Sequence, residues 1–243
     1  PSTAVYATWI NGSDQWTKLN WYGVAGLLAN IQGAEGAQGR RKIADHLARR
    51  YLSDAAKVRE LTVDDWARLT SGLKADLSAK EKTQWGNTLR NAYTATSDAL
   101  NDLDLRKMRV LIGTLKGLGD KQAGSIYATW IAESETWKSA STTSLSGVAT
   151  ILSHQGGPAL KARKAMIAFL TQKYLTDVES ARKVGIQTWH SFATSLAADM
   201  TGDVRALWAI RLQEAFSEYR PRGRKGIQTR LLWTLKVLQA SAD

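Results

Sequence analysis

A five-residue stretch occurs twice in this chain. Tyr6-Ala7-Thr8-Trp9-Ile10 returns as Tyr127-Ala128-Thr129-Trp130-Ile131, and a further tryptophan follows seven residues after the first in each case, at Trp16 and Trp137. The correspondence continues at an offset of 123, which sets Tyr51-Leu52-Ser53-Asp54 against Tyr174-Leu175-Thr176-Asp177, Trp66 against Trp189, Trp85 against Trp208, Leu89 against Leu212 and Tyr93 against Phe216. Near the ends the offset is 120, with Thr114-Leu115-Lys116 against Thr234-Leu235-Lys236. The expectation is a tandem of two homologous units of about 120 residues, spanning 1–121 and 122–243. Such a unit is much longer than solenoid periods of about 20–50 residues. Each half is long enough to bury a core of its own.

The units are expected to be all-α. Only three prolines occur, and Ala, Leu, Lys and Arg are abundant, which favours helix. Helix start signals recur while alternating strand patterns are missing. Thr62-Val63-Asp64-Asp65, Ser78-Ala79-Lys80-Glu81 and Thr176-Asp177-Val178-Glu179 each have the form of a capping box. Helices are expected near 3–11, 20–32, 40–52, 54–60, 63–75, 79–94 and 102–117, then near 123–133, 144–155, 158–175, 177–184, 187–199, 202–217 and 227–240. Pro158 suits the first turn of its helix, where a missing N–H costs nothing.

Composition narrows the chemistry. There is no cysteine, which excludes disulfides, thiolate metal sites and cysteine nucleophiles. No apolar run approaches the roughly 18–20 residues of a transmembrane helix. The three histidines, His46, His154 and His190, align with Phe169, Ile31 and Ala67, so no histidine site recurs. Asp102-Leu103-Asp104 lacks the glycine and distant glutamate of a calcium loop. Ser71-Gly72-Leu73-Lys74 fits a Ser-x-x-Lys pattern without its companion motifs. Gly117-Leu118-Gly119 lacks the strand that a nucleotide loop follows. No catalytic residue, metal ligand or cofactor is expected from these patterns.

What remains is charge and aromatic surface. The net charge is +11, shared as 18 basic and 13 acidic side chains in residues 1–121 and 15 and 9 in residues 122–243. Arg40, Arg41, Lys42, Arg49 and Arg50 cluster on one expected helix, and Lys161, Arg163, Lys164 and Lys173 on its counterpart. Arg220, Arg222, Arg224 and Lys225 crowd a Pro/Gly loop, whereas the aligned segment around 96–104 holds Asp98, Asp102 and Asp104. Cations so placed fit either a solvated face or contacts to the backbone of a polyanion. The acidic and basic connectors also fit head-to-tail contact between copies of the chain. Tyr6, Trp9, Tyr127 and Trp130 share helix faces and read as core more readily than as stacking platforms; so do Trp66, Trp85, Trp189 and Trp208. Trp21 and Trp233, without a tryptophan counterpart, are the indoles expected at the surface and the candidates for aromatic contact with a partner.

The leading expectation is a non-enzymatic binding or scaffold module within a larger protein or assembly, whose partner is another protein or further copies of itself. The alternatives are a nucleic-acid or acidic-polysaccharide binder using the basic residues, and an enzyme with a cleft site.

Overall fold

The computed structural model describes residues 3–217 and 225–240, and among them every regular element is helical. The chain divides into two units, residues 1–123 and 124–243. The first contains α1 (Thr3–Gly12), α2 (Trp21–Asn30), α3 (Ala37–Tyr51), α4 (Ala55–Val58), α5 (Val63–Leu73), α6 (Ala79–Thr94), α7 (Ser97–Asn101) and α8 (Leu105–Gly117). The second contains α9 (Ile126–Glu133), α10 (Thr142–Ser153), α11 (Leu160–Tyr174), α12 (Val178–Val184), α13 (Ile186–Leu196), α14 (Gly202–Phe216) and α15 (Lys225–Ala240). Short 3₁₀ turns precede α2, α3, α9, α10, α11 and α14.

Helix starts follow local chemistry. Thr62 and Asp65 form a reciprocal capping box at α5, and Ser78 and Glu81 form another at α6. At α12 the cap falls one residue later than the Thr176 box implied. Asp177 accepts from the Ser180 amide at 2.8 Å, and the Thr176 hydroxyl donates to that same carboxylate. A carboxylate that already reaches the free N–H of the first turn leaves Thr176 outside the helix. Asp104 caps α8 in the same way, so that helix begins at Leu105 rather than near 102. The five-residue α7, capped by Thr96, occupies a stretch where no helix was expected. Pro158 lies in the 3₁₀ turn Gly157–Ala159 ahead of α11, not in the helix itself.

Packing within each unit follows one scheme. In the first, α1 packs on α3, α2 and α8 on α5, and α4 and α8 on α6. In the second, α9 packs on α11, α10 and α15 on α13, and α12 and α15 on α14. Each core centres on a tryptophan pair. Trp66 and Trp85 meet edge to face with centroids 6.1 Å apart, and Trp189 and Trp208 do so at 5.0 Å. Trp66 Nε1 donates to the Val58 carbonyl at 2.9 Å, and Trp189 Nε1 to the Ala181 carbonyl at 2.9 Å. Trp16 meets His46 edge on, as Trp137 meets Phe169.

The repeated opening motif behaves differently in the two places. Tyr127 and Trp130 are buried, as expected for core rings. Tyr6 and Trp9 are only half-buried, so the expectation of a core role is met only in part for that copy.

Candidate functional site

Arg40 and Arg163 are placed by the same construction. Arg40 Nε and Nη2 donate to the two carboxylate oxygens of Asp76 at 2.7 and 3.0 Å, while Nη1 donates to the carbonyls of Ile31 and Gly33. Arg163 binds Asp199 through Nε and Nη2 at 2.6 and 3.1 Å and gives Nη1 to the carbonyls of Leu152 and Gly156. Gly33 and Gly156 both adopt positive φ, +75° and +62°, a conformation that L side chains rarely adopt. Each arginine therefore ties its helix to the loop before it and to a carboxylate 36 residues further along the chain. Both are buried, so neither belongs to a polyanion-contacting face. The expectation that they would is corrected: a planar fork with five donors satisfies two carbonyls and a carboxylate inside the fold.

Next to each clamp runs a seam, and the two seams differ. In the first unit Arg41 reaches across it, donating to the Glu81 carboxylate and pairing with Asp45. Glu81 also accepts from the Ser78 amide at 2.8 Å and hydroxyl at 2.6 Å. The guanidinium first, then the Ser78 hydroxyl and amide, hold the Glu81 carboxyl well down, at about 2. In the second unit the positions 123 further on are Lys164, Ala168, Thr201 and Val204. They line a cavity of about 390 Å³ together with Ile167, Thr171 and Met200. Asp199 at its edge is held by Arg163, and Thr171 accepts from Trp208 Nε1 at 2.7 Å. Lys164 is exposed and enters no ion pair among the described residues. Thr201 precedes α14 without capping it through its side chain.

A second contrast lies between α5 and α8. Two adjoining hollows of about 280 and 700 Å³ share Ala67, Ser71 and Val110, and small residues such as Ala25, Ala29, Gly72 and Gly113 keep them open. The corresponding positions of the second unit carry rings: His190 stands 123 after Ala67, and Trp233 stands 120 after Gly113. Their centroids are 6.3 Å apart, and the Arg230 guanidinium lies 5.4 Å from the Trp233 ring. His190 Nδ1 is 3.3 Å from the Thr234 hydroxyl. Ser71 and Lys74 of the Ser-x-x-Lys pattern both line the smaller hollow.

The remaining sequence candidates are mostly engaged by their own unit. Lys42 donates to the Asn11 carbonyl, Arg50 to the Thr17 carbonyl and Lys161 to Glu133. Arg49, like Lys164, is exposed with no such bond. Arg220, Arg222 and Arg224 lie outside the described residues, and Lys225 is described only as the first residue of α15. Of the acidic connector, Asp104 caps α8 while Asp98 sits in the first turn of α7. Trp233 is half-exposed, at 50 %; Trp21 is half-buried against Tyr22. Burial first, then Arg50 and Arg49, pushes the His46 imidazole down; burial and Arg230 do the same to His190. No cluster of three metal-ligating side chains occurs among the described residues, and no described helix is long and apolar enough to cross a membrane. The α11–α14 cavity was missed in the sequence because only the comparison of Glu81 with Val204 signals it. The chain matches no family model, no curated protein and no solved structure in the comparisons made.

Proposed function

We propose that the chain is a diverged duplication of one helical unit that serves as a non-enzymatic protein-binding or scaffold module. Its binding surfaces lie in the seams where the copies have drifted apart. The observation that carries this reading is the pairing of shared clamps with unshared seams. Arg40–Asp76 and Arg163–Asp199 are the same device, yet the adjacent seam is bridged by Arg41 and Glu81 in one unit and hollow in the other. Several polar groups around the hollows are already bonded within the fold, which supports binding rather than reaction. Asp199 is held by Arg163, Thr171 by Trp208, Thr70 by the Trp66 carbonyl and Thr114 by the Val110 carbonyl. Volumes of about 280 to 700 Å³ suit side chains of a partner segment.

Panning a random peptide library against the immobilised chain tests the reading. The selected peptides are expected to lose binding when a hollow is filled, by Ala67→His with Gly113→Trp in the first unit or by Val204→Glu in the second. Peptides that bind folded forms of both variants unchanged would remove the seams from the account.

A further inference from the structure

The first unit contains its own template for a ligand. Glu81 puts a carboxylate between the Arg41 guanidinium and the Ser78 amide and hydroxyl at the start of α6, with Arg41 Nη1 at 2.7 Å. In the second unit a cation, Lys164, and a hydroxyl residue, Thr201, stand at the corresponding positions, but Val204 replaces the glutamate. The result is a cavity of about 390 Å³ with Lys164 among its lining residues and Ile167, Ala168, Met200 and Val204 as apolar walls. Its one carboxylate, Asp199, is neutralised by Arg163, so the unopposed charge is positive. The first turn of α14 has no side-chain cap, so its N–H groups favour an anion; Asp203 lies in that turn but is not among the residues lining the cavity.

We propose that this cavity receives a glutamate side chain from a partner protein, which supplies in trans the carboxylate that Glu81 supplies within the first unit. The carboxylate sits between Lys164 Nζ and the amides at the start of α14. Apolar residues flanking that glutamate lie against Ile167, Ala168, Met200 and Val204. The proposal rests on the binding-module reading and names the partner chemistry for one of its two seams. A glutamate fits better than a bare anion because the walls are apolar and would be left wet by an ion alone. Charge-assisted bonds to the carboxylate supply orientation, and the walls supply area.

Methyl NMR of the full chain with a capped peptide, acetyl-Ala-Leu-Glu-Leu-Ala-amide, tests this. At millimolar peptide the methyls of Ile167, Ala168 and Val204 are expected to shift, and Gln in place of Glu should weaken the effect about tenfold. The Val204→Glu chain is expected to melt roughly 3 °C higher, because the internal carboxylate completes a capping box and meets Lys164, and to lose peptide binding. Silent methyls, equal shifts with the Gln peptide, or a Val204→Glu chain that melts no higher would overturn the proposal. Equal shifts with hexanoate would make the occupant a free acid and overturn it as well. Panned peptides lost only on filling the first unit's hollow would remove this site and leave the module reading standing.

Discussion

In the first unit Arg41, Asp45 and Glu81 bridge α3 and α6 with charge, and in the second Lys164, Ala168 and Val204 leave the matching seam hollow. Between α5 and α8 the contrast reverses. There the first unit is hollow beside Ala67 and Gly113, and the second carries His190 and Trp233 at the matching positions. Beneath both contrasts the buried framework is alike, from the arginine clamps to the tryptophan pairs. Selection for a stable unit constrains groups that no water can replace, whereas a half-exposed seam tolerates charge, a ring or a gap at modest cost. The differences between units are thus informative where the similarities are only structural.

The sharpest way to break the comparison is to cut the clamp in each unit. Arg40→Ala and Arg163→Ala each leave a carboxylate and two carbonyls without their buried donor. A loss of about 3 kcal/mol is expected in either unit, read by urea unfolding. Lysine is expected to recover little of it, because a point charge cannot bind the carboxylate and both carbonyls together. A loss below about 1 kcal/mol in one unit alone would show that the two clamps are not equivalent.

Next come the paired indoles. Trp66→Phe and Trp189→Phe remove the bond to the Val58 or Ala181 carbonyl and part of a buried ring. Each is expected to cost about 2 kcal/mol. Unequal costs, measured by thermal unfolding, would mean that one core has relaxed around its ring and the other has not. A smaller effect separates the seams. Glu81→Val puts at position 81 the residue that the second seam carries at 204 and is expected to cost about 1 kcal/mol, since it removes a capping box and a half-exposed ion pair. The Ser78 box is lost outright in that variant, so amide exchange at the start of α6 should quicken; unchanged exchange would show that Ser78 alone holds the turn.

Much of this framework was legible in the sequence, and the reason is locality. The boxes at Thr62 and Ser78 involve residues three apart, and the tryptophan spacings survive at one offset along the chain. What escaped was set by partners distant in sequence. Arg40 reads as a surface cation because Asp76 lies 36 residues away and nothing local announces the pairing. Arg163 reads the same way with Asp199, also 36 residues off. Trp9 and Trp130 stand in identical pentapeptides yet differ in burial, so the cover must come from elsewhere in each unit. The hollows follow from small residues, Gly113 and Ala67, whose significance appears only beside the rings at Trp233 and His190.

The smallest expected effect concerns His46, which occupies in the first unit the place that Phe169 takes in the second. Both rings meet a buried tryptophan edge on, Trp16 at 5.2 Å and Trp137 at 4.9 Å. Only the imidazole titrates. Burial, then Arg50 and Arg49, holds its pKa below the usual histidine value of 6.5. A group whose pKa is lower folded than unfolded binds its proton more readily in the unfolded chain, so its contribution to stability is present above about pH 6.5 and is lost as pH falls through the folded value. His46→Phe should therefore flatten part of the acid limb in a plot of melting temperature against pH and leave the neutral limb nearly unchanged. His190, also shifted down, continues to titrate and keeps some slope in the variant. An acid limb as steep in His46→Phe as in the parent chain would show that the Trp16 contact is equally good with a charged ring, and the equivalence of His46 with Phe169 would then be one of shape alone.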